Sequence, residues 1–487
     1  MGAYLKRLLT AGIAYQAGDI LSKGVALFTL PLYTSYVSPA GYGYAETLMT
    51  AVILLSILLR LGVGEAFIRF YFDDEDGERR DRIARTAVAC VFATTTAAAL
   101  VGVALAGPLS RALLGARHAA LLDLAMLGLW AFTNLEIAYA LLRADERTGT
   151  YMRASVIDVV ATIALTAFLV VGRHAGAEGL LAGNYSASTA VLVGLWWTER
   201  RRLVGSLRGA RRVLSRMFEF GLPTVPADAS VYALQVADRW YLLRAQSAAA
   251  AGLYALAAKL ATVVFVAVRG FQYAWPPLAY SIEDDEVAAR LYAVVTTYYV
   301  LGTGAVVAGV ALLGRWAVRL LLHHGYFGAH LALPWLALGW ALYGLYLIFI
   351  VISGRARRTR RNLPAALAGL VVNVVGLVAL VPPLGLAGAG IALALAYVTM
   401  IAVIHLLTRR IFAVAFEWPR LARLVGVLVA ISVAGELALP SAGAEGFILR
   451  GAAWCLIWPA LRAAGFFRAD ELSGALGLLR RALRRPA

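Results

Sequence analysis

Long apolar segments follow one another along almost the whole 487-residue chain, and they constrain its fold more than any other feature. A transmembrane helix needs about 20 mostly apolar residues to cross the hydrocarbon layer. Because few residues remain between these segments, the sequence predicts an all-α integral membrane protein of about 14 transmembrane helices. The predicted segments lie near 11–36, 44–70, 84–106, 118–142, 153–172, 177–198, 217–243, 250–278, 289–313, 331–353, 363–382, 386–407, 421–439 and 446–463.

Composition indicates lipid as the solvent and argues against nucleic acid as a partner. Apolar residues make up 61% of the chain and charged residues 15%, against roughly 25% charged residues in soluble domains. The net charge of +17 alone would suit a nucleic-acid-binding protein. The arginines, however, lie in short runs between apolar segments, which is typical of membrane topology and not of a folded basic face.

The sequence contains no pattern typical of an enzyme, a cofactor site or a metal site. The two cysteines, Cys90 and Cys455, lie inside apolar segments and form no metal-binding motif. A histidine group at 323, 324 and 330 lacks acidic or thiol ligands nearby in the sequence. We find no phosphate-binding loop and no nucleophile motif. We therefore predict that the chain has no catalytic residues, no cofactor and no metal.

Most of the 45 Lys and Arg residues lie at the N-terminus or in the even-numbered breaks between predicted helices. By the positive-inside rule this bias places both termini in the cytoplasm. Residues 199–216 form a basic linker, and residues 464–487 form a tail with the pattern of a basic amphipathic helix on the inner leaflet. We therefore expect a multi-pass protein of the bacterial cytoplasmic (inner) membrane.

An internal repeat appears when the chain is shifted by about 209 residues. Ser38 then aligns with Ser247, Gly43 with Gly252, and Arg60 with Arg269, and the basic helix ends also coincide. Because six helices is an even number, the two copies have the same orientation, and their pseudo-twofold axis lies along the membrane normal. We predict an N-terminal six-helix bundle, the basic linker, a C-terminal six-helix bundle and two extra helices; their bounds are 1–198, 199–216, 217–407 and 408–463.

Basic residues lie within the predicted helices, although a charge at the bilayer centre costs about 2.5–3.5 kcal/mol on insertion scales. Such residues should therefore face a cavity or a partner. The ones that we expect to line a central cavity and bind an anionic head group are Lys23, Arg60, Arg239, Lys259 and Arg269. Arginine suits a diphosphate because its planar guanidinium can bond two oxygens at once.

Acidic residues within the predicted helices are candidates for ion coupling or for ion pairs. They are Asp19, Glu136, Asp228 and Asp238. Asp19 lies one turn from Lys23, so these two can also neutralise each other. Asp238 and Arg239 can serve packing alone. Proline residues at 31, 223, 226, 276 and 277 predict kinks that either act as hinges or only shape packing.

Several segments resemble a known membrane family. The Asp-Arg pair at 238–239, the Gly-Leu-Tyr at 252–254, Lys259 and the stretch 384–392 carry the resemblance together with residues 28–72. Over about residues 5–463 the chain is similar to the polysaccharide transporter (oligosaccharide flippase) family, whose superfamily also holds the multidrug extruders and the lipid II flippase.

The resemblance implies two six-helix bundles that face each other across a V-shaped cavity and work by alternating access. It implies outward movement of undecaprenyl-diphosphate-linked oligosaccharide for surface polysaccharides such as lipopolysaccharide. The implied partners are this polyprenyl-linked glycan, membrane lipids, and a polysaccharide polymerase and glycosyltransferases. A cation-coupled multidrug extruder and a lipid II flippase stay open as alternatives. The first helix has no arginine, which departs from the arginine-rich first helix of the lipid II flippase.

Overall fold

The structure is a computed structural model that describes residues 27, 29–72, 76–355 and 361–468. The helices in chain order are α1 (29–36), α2 (Pro39–Leu59), α3 (Val63–Phe72), α4 (Gly77–Ala104), α5 (Ala106–Leu114), α6 (Ala119–Ala144), α7 (Thr148–Ala167), α8 (Gly176–Leu203), α9 (Ala210–Gly221), α10 (Val225–Ala245), α11 (Ala248–Ser281), α12 (Asp285–Leu321), α13 (Leu333–Arg355), α14 (Asn362–Thr408), α15 (Trp418–Ala438), α16 (Gly443–Cys455) and α17 (Ile457–Ala463). Predicted residues Asp19 and Lys23, and most of the tail, lie outside the described part.

The prediction of an all-α membrane protein is confirmed. Within the described ranges there is no strand, and nine helices are long and apolar enough to cross a membrane. One of these nine, α14, has 47 residues, which is about 70 Å at 1.5 Å per residue and twice the hydrocarbon thickness. Its backbone breaks at Gly385, where φ is 58°. This break lies between the predicted segments 363–382 and 386–407.

Three predicted segments are interrupted in the structure. The segment 44–70 is wrong as one continuous helix, because α2 ends at Leu59 and α3 begins at Val63. Leu61 and Gly62 between them have φ of 51° and 71°, and positive φ is costly for leucine. The segments 217–243 and 446–463 break at 222–224 and at Leu456. Hydropathy missed these breaks because it reports apolarity and not backbone geometry.

The chain divides by its contacts into two compact units. The first comprises Met1–Leu260, Leu321–Ala329 and Ala366–Ala396, and the second comprises Ala261–Leu320, His330–Ala365 and Tyr397–Ala487. These contact-defined units do not test the bundle and linker boundaries predicted from sequence, which stay predictions.

The first unit has an apolar core between α3, α4, α6 and α9. Phe67, Ile137 and Met217 lie fully or almost fully buried in it. Helices α3 and α9 approach so closely that a methyl group at Gly62 would overlap the backbone of Gly221, and the reverse also holds. This contact fixes the position of the break that precedes α3.

Equivalent positions of the predicted repeat adopt equivalent local structures in the first unit. Ser38 accepts a hydrogen bond from the Gly41 amide at 3.1 Å, and Ser247 accepts one from the Ala250 amide at 3.1 Å. Each serine therefore caps the helix that follows it. Gly43 and Gly252 lie where α2 and α11 cross, each against the first turn of the other helix. The two matched glycines thus serve the same contact.

The second unit packs α12 against α15 and α17 around Leu301, Leu424 and Leu461. Arg450 is fully buried and forms an ion pair with Glu436. It also donates to the carbonyls of Leu439 and Pro440 at 3.1 and 3.0 Å. These bonds tie α16 to the chain that directly follows α15.

Candidate functional site

A cluster of charged and phenolic side chains lies just beyond the crossing of α2 and α11. The glycines at the crossing bring Glu46 of α2 within reach of Lys259 of α11. Lys259 Nζ lies 2.5 Å from Glu46 Oε1 and donates to the Tyr42 hydroxyl at 2.8 Å. The Glu46 side chain is 8% exposed and that of Lys259 is 39% exposed. The pair therefore joins a buried carboxylate to a cation that still has an accessible side. We call Tyr42, Glu46, Arg239 and Lys259 the Lys259 cluster.

Arg239 of α10 is the second cation of the Lys259 cluster. It is half-buried and acts electrostatically on both Glu46 and Tyr42. Among the described residues it has no hydrogen bond and no ion pair. Arg239 also acts electrostatically on the neighbouring Asp238. The cluster itself holds two cations and one carboxylate, with a second carboxylate beside it, and the partly accessible Lys259 and Arg239 are the groups that an anion can reach.

Asp238 lies next to Arg239 in sequence, but it faces a different environment. Its side chain is 1% exposed and accepts hydrogen bonds from the Tyr254 hydroxyl at 2.6 Å and from Asn373 Nδ2 at 2.9 Å. Both donors are neutral, so the structure gives this carboxylate hydrogen bonds and not an ion pair. Successive residues of a helix point about 100° apart, which explains why neighbours in sequence do not share a partner.

Arg60 lies at the break between α2 and α3, where it is the C-terminal cap of α2. It is half-buried, and its guanidinium has no hydrogen-bond partner in the part of the chain that the structure describes. It acts electrostatically on Asp228 of α10, and so does Glu65. The end of a helix carries a partial negative charge that stabilises a cation there. Fourteen residues separate Glu46 from Arg60, so Arg60 lies about 21 Å along α2 from the Lys259 cluster.

The remaining predicted residues are not brought to this cluster. Arg269 belongs to the second unit, where its guanidinium lies 4.8 Å from the centre of the Phe265 ring. Glu136 lies on α6 near Asp158 and Tyr139. Of the predicted cavity residues that the structure describes in the first unit, Arg239 and Lys259 lie together and Arg60 lies apart.

Sequence reasoning missed Glu46. Residue 46 lies inside the predicted second helix. A charge within a transmembrane helix is costly and should face a cavity or a partner, and this argument, which identified the other charged residues, applies to Glu46 as well. Its partner Lys259 is 213 positions away, and no spacing rule predicts that pairing.

Sequence reasoning also missed a polar cluster around Arg202. Arg202 donates to Asp145 Oδ2 and to the Tyr71 hydroxyl, both at 2.6 Å, and forms an ion pair with Asp81. Burial acts to lower the pKa of the Arg202 guanidinium, but the bonds with Asp145 and Tyr71 outweigh it, and the pKa is raised. Arg202 therefore stays charged and ties the ends of four helices together.

The sequence matches the model of a known protein family. A model of the family described as polysaccharide biosynthesis protein matches residues 8–282. No curated protein matches the sequence.

Solved structures of membrane transporters share the fold. The lipid II flippase MurJ in an inward closed conformation has a TM-score of 0.71 and 13% identity, over 94% of this chain and 99% of that chain. An inward-facing MATE multidrug resistance transporter of the MOP superfamily has a TM-score of 0.64 and 15% identity, over 81% and 95%. A MOP superfamily transporter from Pyrococcus furiosus has a TM-score of 0.54 and 16% identity, over 83% and 94%. The chain therefore belongs to the polysaccharide biosynthesis protein family and has the multi-pass membrane fold of MOP superfamily transporters.

Proposed function

We propose that the chain is a flippase that moves undecaprenyl-diphosphate-linked oligosaccharide across the bacterial cytoplasmic membrane for surface polysaccharide biosynthesis. The observation that supports this most is the Arg239 guanidinium, which is half-buried without a hydrogen-bond partner in the described residues beside the Lys259–Glu46 pair. A cation that is held partly out of water without a partner is costly. The cost is offset when an anionic head group binds during transport.

The charges suit a diphosphate on a neutral glycan better than a cationic drug. In the Lys259 cluster the two cations are partly accessible, whereas the Glu46 carboxylate is 8% exposed, so an entering charged group meets the cations first. A diphosphate offers oxygens both to the planar guanidinium of Arg239 and to the ammonium of Lys259. Glu46 limits the attraction, which lets the head group leave again.

Arg60 supplies a second basic position at a different depth. It lies about 21 Å along α2 from Glu46, at a broken helix of the kind that lines substrate paths in transporters. We infer that the head group meets Arg60 near one side of the membrane and the Lys259 cluster near the other. Alternating access moves it between them.

The test is transport by purified protein in proteoliposomes with a fluorescent undecaprenyl-diphosphate oligosaccharide. Arg239→Ala should lower the transport rate at least tenfold, and Arg239→Lys should recover only part of it, because the ammonium cannot bond two oxygens in a plane. Arg244→Ala is the matched control, since Arg244 is an exposed residue of the same helix. Full transport by Arg239→Ala and by Arg60→Ala would overturn the proposal.

The natural substrate can be identified in a deletion strain by mass spectrometry of lipid-linked glycans. Accumulation of an undecaprenyl-diphosphate oligosaccharide with loss of a surface polymer supports the proposal. Accumulation of lipid II selects the alternative of a lipid II flippase. An unchanged lipid pool with increased drug sensitivity selects a multidrug extruder.

The same proposal includes orientation and partners. We infer that both termini face the cytoplasm, because most Lys and Arg residues lie at the N-terminus or in the even-numbered breaks of the predicted topology, including Arg200, Arg201 and Arg202. A fluorescent protein fused to the C-terminus should therefore be active, whereas an alkaline phosphatase fusion should be inactive. A polysaccharide polymerase and glycosyltransferases would act before and after the flippase.

A further inference from the structure

The junction of α8 and α9 carries an excess of positive charge. Residues 197–221 contain seven arginines and two acidic residues. Arg202 pairs with Asp145, and Glu199 pairs with Arg147, so these charges are already used within the fold. The other six arginines are exposed, and in the described part of the chain none of them forms an ion pair; they are Arg200, Arg201, Arg208, Arg211, Arg212 and Arg216. Such a concentration of one charge attracts an anionic partner.

The turn between the two helices is held against α4. Arg85 of α4 donates a hydrogen bond to the Ser206 carbonyl at 3.2 Å, and a methyl group at Gly205 would overlap the Arg85 guanidinium. The Ser206 hydroxyl accepts a hydrogen bond from the Arg208 amide at 3.2 Å. Because these contacts define the shape of the turn, the fold itself presents the side chains that the turn exposes.

The turn also exposes apolar side chains between the arginines. Val204 is 78% exposed and Leu207 is 49% exposed. At the end of α8, Trp197 is 67% exposed, and the Arg200 guanidinium lies 4.3 Å from the centre of its ring. Tryptophan and arginine with its apolar stem are typical of the boundary between hydrocarbon and water. The turn therefore combines apolar groups for the acyl boundary with cations at the level of the head groups.

Helix α9 continues this surface with its basic side. Met217 is fully buried in the core of the first unit, and Val213 packs against the same core. Arg211 and Arg212 lie on the opposite side of the helix and are exposed. The acidic residue of α9, Glu219, lies about two turns away from them. The apolar side of α9 is thus covered by the protein's own core, and its arginine side is open to a partner.

We propose that this surface binds anionic phospholipids of the inner leaflet, and we call it the linker surface. Its members are Arg200, Val204, Leu207, Arg208, Arg211 and Arg212. The arginines select anionic over neutral head groups, since each basic residue near an anionic membrane strengthens binding about fivefold. The two apolar residues contact the acyl chains. The inference goes beyond the proposed function, because it concerns the lipids around the protein and not the lipid that is moved.

The test is native mass spectrometry of the full-length protein in a neutral detergent, titrated with phosphatidylglycerol or with phosphatidylcholine of the same acyl chains. The unmodified protein should bind phosphatidylglycerol at least tenfold more tightly, and a higher ammonium acetate concentration should reduce this preference. Combined replacement of Arg208, Arg211 and Arg212 by glutamine should weaken phosphatidylglycerol binding at least tenfold.

The matched control removes the same charge elsewhere. Arg111, Arg117 and Arg173 are exposed arginines outside the linker surface, and their combined replacement by glutamine should leave phosphatidylglycerol binding unchanged. Equal binding of the two lipids by the unmodified protein, or an equal loss in both triple variants, would overturn the inference.

A second variant separates apolar contact from charge. Val204→Ser combined with Leu207→Ser should weaken binding of both lipids several-fold and leave their ratio unchanged, because all the arginines remain. The unfolding midpoint checks the folding of each variant. If the triple arginine variant is less stable, Arg208→Gln, Arg211→Gln and Arg212→Gln are measured singly, and each should weaken phosphatidylglycerol binding about fivefold.

Failure of this inference is distinguishable from failure of the proposed function, because lipid binding is read without transport. Unchanged phosphatidylglycerol binding in the triple variant, together with slower oligosaccharide transport in proteoliposomes, would assign these arginines to the transported diphosphate and overturn the lipid surface. Selective phosphatidylglycerol binding by a protein that moves no oligosaccharide would leave the linker surface in place and refute the flippase.

Discussion

The crossing of α2 and α11 permits a quantitative test of the packing. A methyl group at Gly43 would overlap the carbonyl oxygen of Ala248 and lie 2.8 Å from the Gly252 amide nitrogen. A methyl group at Gly252 would overlap the carbonyl oxygen of Pro39. Both obstacles are backbone atoms, so no side-chain rotation can relieve them. The helices must move apart.

The size of the effect follows from two opposing contributions. Replacing glycine by alanine inside a helix normally stabilises the folded state by roughly 0.5–1 kcal/mol. Overpacking costs about 1–3 kcal/mol, and a backbone obstacle places this contact at the upper end. Each of Gly43→Ala and Gly252→Ala should therefore lower the free energy of unfolding by about 2 kcal/mol, a factor of about 30 in the equilibrium constant.

The two substitutions should not be additive. Once one methyl group has separated the helices, the second methyl group meets a contact that is already open. The double variant should therefore lose about 2–3 kcal/mol and not about 4 kcal/mol.

The assay is equilibrium unfolding in mixed micelles, with transport measured in parallel. Gly194→Ala is the control, because nothing lies within 4 Å of the added methyl group, and it should be neutral or slightly stabilising. Single variants as stable as the unmodified protein would refute the close contact. A fully additive double variant would show that the two glycines do not share one contact.

Three further outcomes follow from the contacts. Arg202→Ala should lower the free energy of unfolding by about 3 kcal/mol, because it leaves the carboxylates of Asp81 and Asp145 without their shared cation. Exposed Arg201→Ala should change the same free energy by less than about 0.5 kcal/mol in the same unfolding assay. Glu46→Gln and Lys259→Met should each lower the free energy of unfolding by about 1–2 kcal/mol, since Lys259 is partly accessible. In a double-mutant cycle, the double variant should lose less than the sum of the two single losses. Gly62→Ala places a methyl group at a residue with positive φ and against the backbone of Gly221. It should lower the free energy of unfolding by more than about 2 kcal/mol, which is measured as a lower yield of folded protein after purification.

The membrane class of the fold follows from the sequence because hydropathy depends on residue type alone. In lipid, a segment of about 20 apolar residues must satisfy its own backbone hydrogen bonds, and a helix does so within the segment. The all-α class and the approximate number of helices are therefore predictable. The matched pairs Ser38–Ser247 and Gly43–Gly252 were also visible as a repeat, and the structure gives each pair the same local role. Sequence also identified Arg239 and Lys259 as basic residues inside the membrane.

Only the tertiary structure decided which charges meet. Lys259 pairs with Glu46 at a sequence separation of 213 residues, and Arg202 joins Tyr71 at a separation of 131 residues. Such pairings depend on how helices cross, and crossing depends on small residues and backbone breaks that hydropathy does not detect. Arg60 is separated from Glu46 by the length of α2 between them, and the break that follows Arg60 ends this helix. Residue type therefore determined the membrane class of the fold and the approximate number of helices, whereas packing decided which charged side chains lie side by side.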